Sequence, residues 1–397
     1  MTHDSHRDLL LQLLDRSLPQ TRIDYLLEGG GRVQGGARDR DADFAVRVTD
    51  PTFFRRSLAQ GNLGHAESYM DGGWDMERGT LEGYLTALTA GRLDLQVGRD
   101  LRFILRVGAL RLRQIVAGTL RNVQDHYDIG SDLYEAFLDE TRGYTCGYQL
   151  TEADDSKTLQ AQKYDRICRK LRLQPGQTLF DVGCGYGGLM MHAAAHYGVR
   201  AVGVTNSRDH AEWGARRVAE LGLQGKVELR FGDFRTASGK YDRVASVGVL
   251  EHLLPSEHEA FFGTVAGLLD QDGWGLVHTI GCVTHKNEHD PFIQKYIFPG
   301  STQNPLSVIA GNLERKQLAI TDVENIGRHY APTSAAWLAA YRSNRHSLDP
   351  RRYPPRFQRM WEYYLALCVA GASASDGAVW QVLFTRNYRR ALPLHRV

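Results

Sequence analysis

"TLFDVGCGYGGL", residues 178–189, decides the fold. An apolar run reaches an acid, Asp181, and then meets Gly183, Gly185 and Gly187 before a helix-length stretch opens. Glycines at that spacing allow a tight turn and a close approach of backbone to a ligand, and the helix start beyond them offers free N–H groups. With Gly188 the segment also fits G-x-G-x-x-G, the dinucleotide pattern. That reading requires an acid at the end of the next strand to hold the ribose, and Thr205-Asn206 stand there instead. Asp181, with "GDF" (232–234) after the third strand, suits S-adenosylmethionine. Asp181 would lie near the sulfonium side, Asp233 would accept from the adenine amine, and Phe234 would lie against the ring. A glycine-rich turn by itself also fits a purely structural turn; the strands around it favour a cofactor.

Outward from this turn the pattern repeats. "VRAVGVT" (199–205), "VELRFGD" (227–233), "YDRVASVG" (241–248) and "GWGLVHTIG" (273–281) are short apolar runs separated by helix-length stretches. Strands alternating with helices predict a doubly wound parallel sheet, here a Rossmann-like class I methyltransferase domain. It is expected over residues 122–397, preceded by a smaller α/β domain over 1–121. In that first part "DADFAVRV" alternates with Phe44, Val46 and Val48 on one face, and "EGGGRVQGG" before it reads as turns. From Pro51 to about Arg121 the pattern is helical.

At 397 residues, 42% hydrophobic and 24% charged, the chain has ordinary globular composition and length enough for two domains. Five cysteines, with no C-x-x-C, suggest neither a disulfide framework nor a zinc site, and fit a reducing cytosol. The N-terminus mixes charges into its leucines and lacks the apolar core of a signal peptide. No run is long enough to cross a bilayer. The expectation is a cytoplasmic protein, peripherally associated with the inner face of the membrane.

The net charge of +2 conceals an asymmetry: Tyr341–Val397 holds ten arginines against three acids, leaving 38 basic and 43 acidic side chains before it. Such a tail fits either an anionic partner or a solvated surface. Within "LRFILRVGALRLRQIV" (101–116), Arg102, Arg106 and Arg113 fall within about 40° on a helical wheel. That stripe fits an anionic lipid surface or a core helix whose arginines reach solvent.

Several long segments then occur in order: "HYDIGSDLYEAFLDETRGYTCGYQ" (126–149), "DVGCGYGGL", "SVGVLEHL" (246–253), "VHTIG" (277–281), "DPFIQKYIFPG" (290–300) and "YYLALCVAGA" (363–372). With "GNLGHAESYMDGGW" (61–74) in the first domain, they closely resemble the cyclopropane-fatty-acyl-phospholipid synthases over nearly the whole chain. The shorter mycolic-acid cyclopropane synthases resemble the second domain alone. The resemblance implies a methyltransferase that carries a methylene from S-adenosylmethionine to the cis double bond of an unsaturated phospholipid. The methyl goes to an alkene carbon, a carbocation results, and bound bicarbonate removes a proton as the ring closes. It implies a lipid partner, not nucleic acid, and often a homodimer. Bicarbonate would be held by Cys146, Glu251, His278, the backbone N–H of Ile280, and Tyr330. Cys368 matches a further family cysteine once suspected of catalysis, which makes it a candidate catalytic residue. Tyr144, Thr145 and, at the ribose, His210 would join Asp181, the three glycines, Thr205, Asp233 and Phe234 around the cofactor. No metal is implied.

The residue types suit that chemistry. A small anion in a dry pocket needs donors around its oxygens, which a thiol, an imidazole, a phenol and an amide supply. A carbocation gains from aromatic faces, and "YTCGY" with "DHYD" brings several. Each assignment has a plainer reading: Cys146 as a small buried hydrophobe, Glu251-His252 as a surface pair, His278 as a strand-end histidine. Nucleophilic Cys146 would need a paired base. The chain departs from the family at Val249-Leu250, where Met-Phe is common, at Ser373-Ala374, where Phe-Arg is frequent, and at His210, where Gln is usual. These bear on substrate and product. C-methylation to a methyl- or methylene-branched lipid, methylation of a non-phospholipid alkene, and a binding protein without turnover are the competing expectations.

Overall fold

The computed structural model describes residues 3–93, 130–284 and 290–389. The arginine stripe at 102–113, the "DHYD" segment and the expected boundary at 121 lie outside them. Two units are distinguished. One takes Met1–Ile129, Asp290–Pro299 and Tyr341–Ser375; the other takes Gly130–His289, Gly300–Ala340 and Asp376–Val397.

In the first unit, α1 (His3–Ser17) precedes β1 (Arg22–Leu27), β2 (Arg32–Gly36) and β3 (Phe44–Val48). These are followed by α2 (Phe53–Gln60), α3 (Asn62–Met70), β4 (Trp74–Arg78) and α4 (Leu81–Ala90). The sheet order is β2-β1-β3-β4, with β1 and β3 parallel. Val46 and Val48 are buried, as the alternation predicts. Two local expectations are corrected. "EGGGRVQGG" is a turn only at its start; its end is β2, where a Cβ on Gly35 would come within 2.8 Å of Leu14 Cδ1, so the bare glycine lets α1 pack. The helical stretch after Pro51 is interrupted by β4, whose fully buried Trp74 packs on Phe53, Tyr69 and Tyr84. Its indole N–H reaches His65 O at 3.0 Å. Burying that ring outweighs local helix preference.

The second unit runs through α5 (Ser131–Glu135), α6 (Ser156–Lys170), β5 (Thr178–Val182), α7 (Gly188–Tyr197), β6 (Arg200–Thr205), α8 (Arg208–Glu220), β7 (Val227–Phe231) and β8 (Tyr241–Val247). It continues with α9 (His258–Leu268), β9 (Leu269–Cys282), β10 (Asn304–Pro305), α11 (Leu306–Arg315), β11 (Ala319–Asn325), α12 (Tyr330–Asn344) and β12 (Gly377–Thr385). The order β11-β12-β9-β8-β5-β6-β7 is parallel from β9 to β7, and β12 runs antiparallel to both of its neighbours. This is the expected doubly wound sheet. Leu179, Ala201, Ala245 and Leu276 face one core with α6 and α7, while Phe180, Val182, Val244 and Val277 face another with α9 and α11. Strand order reverses between β5 and β8, the crevice where open α/β sheets take ligands.

The first unit also contains α10 (Pro291–Tyr296) and α13 (Pro355–Ala374). Its arginines are largely engaged. Arg342 and Arg345 pair with Glu362, Arg356 with Asp71, and Arg359 with Asp75. Arg351 pairs with Asp349. The excess charge expected of this segment is therefore met in part by carboxylates of its own unit. Among the described residues, no helix is long and apolar enough to cross a membrane, and no cluster of three or more His, Cys, Asp or Glu side chains could hold a metal. All five cysteines are free thiols.

Candidate active site

The loop "GYTCGYQ" (143–149) lies against α6 so closely that its glycines are required. A Cβ on Gly143 would stand 2.5 Å from Gln160 Oε1, and one on Gly147 2.8 Å from Leu159 Cβ. Tyr148 N–H donates to Leu159 O at 2.9 Å, and Gly147 N–H to Thr333 Oγ1 at 3.0 Å. So anchored, Cys146 is buried with Ile326 and Val379, and Ile280, Tyr148 and Tyr330 pack around them. Three of the residues expected at one anion site thus share one small apolar cluster. The Cys146 thiol donates toward Gly147 O at 3.3 Å and Ile326 O at 3.7 Å. Burial pushes its pKa up, so the thiol stays neutral and its chemistry is that of a donor.

Glu251 follows β8 in a short 3₁₀ turn (Leu250–His252) and is 3% exposed. It is not a surface carboxylate. Thr279 Oγ1 donates to its Oε2 at 2.7 Å, and the Ile280 N–H to its Oε1 at 3.3 Å. The amide expected to hold bicarbonate therefore already meets an anionic oxygen. His278 lies two residues before Ile280 on β9, on the same face of the strand. It is buried, and burial first, then the charges of Lys163 and Lys170, hold its pKa well below the usual imidazole value. Gln381, opposite it on β12, lies 3.3 Å away, Nε2 to Nδ1. With that amide donating, the neutral ring carries its proton on Nε2 and remains a donor there. Tyr330 opens α12 and packs edge-on against Trp337 at 5.8 Å. Cys368 lies on α13 in the first unit and is not among the side chains the second unit itself gathers.

The cofactor candidates ring the carboxyl ends of the parallel strands. Gly183, Gly185 and Gly187 all have positive φ (+78°, +53° and +87°), and Gly187 caps α7 in the left-handed conformation. A Cβ on Gly183 would lie 2.3 Å from Val249 Cγ2, whereas one on Gly185 would meet no atom within 4 Å. Leu250 is fully buried in the apolar core, so the Val249-Leu250 departure is accommodated by packing. Thr145 crosses above Gly248, where a Cβ would stand 2.5 Å from Thr145 Cγ2. Tyr144 packs on Tyr134, Phe137 and Trp337.

Thr205 ends β6 and is buried. His210 on α8 places its ring 4.0 Å from that of Tyr186, the residue between Gly185 and Gly187. Asp233 is exposed and paired with Arg235 at 2.6 Å; Phe234 packs edge-on against Phe261. Asp181, at the end of β5, is 2% exposed, and its Oδ1 has no hydrogen-bond partner. Burial raises its pKa to about 7 against the lowering charge of Lys163. A buried carboxylate oxygen left free beside an open glycine turn is the environment a cationic ligand completes, so the residues fit S-adenosylmethionine.

Four functional side chains escaped sequence reasoning. Thr279, Gln381, Gln160 and Lys163 are at most 1% exposed and orient Glu251, His278 and Thr145. The polar pattern of "SKTLQAQKYDRICRK" reads as a solvated helix face, and nothing in it marks Lys163 as buried. Thr279 stood inside the quoted "VHTIG", where alternation alone would have placed it opposite His278.

Comparison with known proteins identifies the family and the fold. The family described as mycolic acid cyclopropane synthetase matches residues 116–382. The cyclopropane-fatty-acyl-phospholipid synthase of Escherichia coli K12 is 34% identical over 373 residues, covering 94% of each chain. The tuberculostearic acid methyltransferase UfaA1 of Mycobacterium tuberculosis H37Rv is 31% identical over 382 residues, covering 91% of this chain and 87% of its own. Among solved structures, mycolic acid cyclopropane synthase CmaA1 complexed with SAH and CTAB superposes with a TM-score of 0.60 at 29% identity. That match covers 66% of this chain and 97% of the other.

Proposed function

Since the chain belongs to the mycolic acid cyclopropane synthetase family and is an S-adenosylmethionine-dependent methyltransferase, we propose that it cyclopropanates the cis double bond of an unsaturated phospholipid acyl chain with bicarbonate as base. The observation that carries this reading is the buried Glu251 carboxylate, held by Thr279 and the Ile280 N–H beside the cluster of Cys146, Ile280 and Tyr330. When bound, S-adenosylmethionine supplies an electrophilic methyl group to the alkene and bicarbonate takes the proton lost on ring closure.

The chain's part is to bind, orient and exclude water. The turn Gly183–Gly187, Thr145, Thr205 and His210 form the cofactor wall, with Asp181 offering its free oxygen to the positive charge. Neutral Cys146, neutral His278 and Tyr330 would be the donors to bicarbonate, and the Ile280 N–H would join them by turning from Glu251 Oε1 to the bound anion. Glu251, fixed by Thr279, accepts the hydroxyl of that base and sets where its basic oxygen points. Low polarity around Ile326, Val379 and Trp337 keeps water from the cation. Cys368 is kept as the further catalytic candidate, and residues 1–121 are proposed as the lipid-contacting and dimer-supporting domain. The described arginines that remain exposed, together with the segment at 102–113, would meet anionic headgroups at the cytoplasmic face.

The second reading is C-methylation to a branched lipid, favoured by the likeness to a tuberculostearic acid methyltransferase. It shares every residue except those that decide which proton leaves.

Glu251→Gln tests the assignment. Turnover is expected to fall by about 10²- to 10⁴-fold, the range of a general-base contribution, while cofactor binding persists. Removing dissolved bicarbonate from the wild type should lower turnover similarly. Unchanged activity in both experiments would refute the base assignment.

A further inference from the structure

The mechanism above leaves a deeply buried charge beside the cofactor loop unused. Lys163 is 1% exposed on α6, and an isolated ammonium in that position is costly unless it is engaged. Its Nζ donates to Thr145 Oγ1 at 2.7 Å and to Gln160 Oε1, and it lies 4.3 Å from the centroid of the Tyr164 ring. Gln160, fully buried one turn earlier, donates from Nε2 to the Thr145 carbonyl at 2.9 Å. Thr145 is thus gripped at both its hydroxyl and its backbone, beside Cys146 and above Gly248.

The charged and titratable groups facing this ammonium come from every element around it. Asp139, from the segment after α5, accepts from Thr141 and from the Gly143 N–H. Cys146 lies on the loop, Tyr164 on α6, Asp181 on β5 and His278 on β9, and each is electrostatically linked to Lys163 or Asp139. Asp181 faces Cys184 and Tyr164 as well. Asp181 is the one whose carboxylate has an unpartnered buried oxygen.

We propose that Lys163 is a positioning residue for the cofactor: its ammonium fixes Thr145 in the cofactor wall and adds a positive charge that favours the carboxylate form of Asp181, whose unpartnered oxygen makes the pocket prefer the sulfonium of S-adenosylmethionine over the uncharged thioether of S-adenosylhomocysteine. This rests on the cofactor wall assigned above. Asp181, whose pKa burial raises to about 7 even with the lysine in place, takes up a proton more readily without it, and the preference for positive charge falls. In the wild type the same switch operates through Asp181 itself, since acidification protonates it.

The test needs neither lipid nor bicarbonate, so its failure is separable from failure of the cyclopropanation reading. Affinities for S-adenosylmethionine and S-adenosylhomocysteine are measured by calorimetry on the full chain. Lys163→Met should weaken S-adenosylmethionine by about tenfold or more, one charge contact's worth, while S-adenosylhomocysteine changes by less than about threefold. Lys163→Arg, which keeps the charge, should recover most of the preference. In turnover, the KM for S-adenosylmethionine should rise with kcat little changed. Should Lys163→Met fail to fold, the wild type still decides: its ratio of the two affinities must grow from about pH 5.5 to about pH 7, below the pKa of about 8 to which burial lowers Lys163 itself, and Asp181→Asn must abolish that growth. Equal weakening of both ligands in Lys163→Met, or a ratio independent of pH in the wild type, would overturn the proposal.

Discussion

Replacing Thr279 by valine removes one hydroxyl from a site sealed against solvent. Thr279 is fully buried, and its Oγ1 stands 2.7 Å from Glu251 Oε2. The donor left to that carboxylate is the Ile280 N–H, at 3.3 Å on the other oxygen. Valine matches threonine in shape, so the change is chiefly the loss of a donor to a charged group, worth about 1.5–3 kcal/mol. If that bond orients Glu251 during proton transfer, the whole loss falls on the barrier, a drop of roughly 10- to 150-fold in kcat at about 1.4 kcal/mol per tenfold. Affinity for S-adenosylhomocysteine should hold within about twofold, because the cofactor wall is built from other residues. The assay is initial turnover on vesicles of unsaturated phospholipid at saturating cofactor, with calorimetry as the control for folding and binding. Thr279→Ser keeps the hydroxyl and should retain activity within about threefold. Wild-type turnover in Thr279→Val, or equal impairment of Thr279→Ser, would refute the orienting role.

Cys146→Ser should keep turnover within about tenfold of wild type, since one small donor replaces another, whereas a nucleophile would lose activity outright; intact protein should also resist iodoacetamide at Cys146, as mass spectrometry would show. Gly183→Ala forces a side chain into φ +78° against Val249, so cofactor affinity should fall and the melting temperature drop by an amount matching at least about 1–2 kcal/mol; Val249→Ala should restore part of it. Asp181 has a folded pKa raised to about 7. Its contribution to stability is therefore full at low pH and lost as pH rises through about 7. Asp181→Asn should flatten that slope in ligand-free denaturation curves, and an unchanged slope would contradict it. Glu324 is the opposite case. Burial alone would raise its pKa, but hydrogen bonds from Arg166 and Lys170 hold it at about 2. Its contribution is present above the ordinary carboxylate range and lost on acidification toward pH 2. Glu324→Ala leaves the buried Lys170 with only Asp322, at 3.5 Å, and should cost about 1–3 kcal/mol in urea denaturation at pH 7.

The doubly wound sheet was legible because its inner parallel strands are apolar on both faces, while the edge strand β7, with Glu228 exposed, shows one apolar face only. The five runs from Thr178 to Gly281 therefore stand out without any partner being known. β12 was not read, although "AVWQVLFT" is as apolar, because two helices, α12 and α13, separate it from β11 and it runs antiparallel to both neighbours, outside the simple alternation of strand and helix. In the first unit β4 was lost for a different reason. It is short, and Trp74 acts through aromatic contacts that have no sequence period. The site was legible where chemistry and motif coincide, as at Glu251, Cys146 and the glycine turn. It was illegible where a side chain acts by being buried. Lys163 and Gln160 look like solvated polar residues of an amphipathic helix, and only the close approach of the 143–147 loop turns that face inward. His278 and Gln381 meet across β9 and β12, a pairing of residues 103 positions apart that no local pattern contains.

The central claim is the product. The protein is incubated with S-adenosylmethionine, bicarbonate and vesicles of a cis-unsaturated phospholipid, and the recovered lipid is examined by proton NMR. Mass alone does not separate the outcomes, since cyclopropane and methylene-branched chains both gain one CH₂. The account predicts upfield cyclopropyl protons, loss of the vinyl signal, and neither change in Glu251→Gln. Branched-chain methyl or methylene signals without cyclopropyl protons, or unmodified lipid, would contradict it.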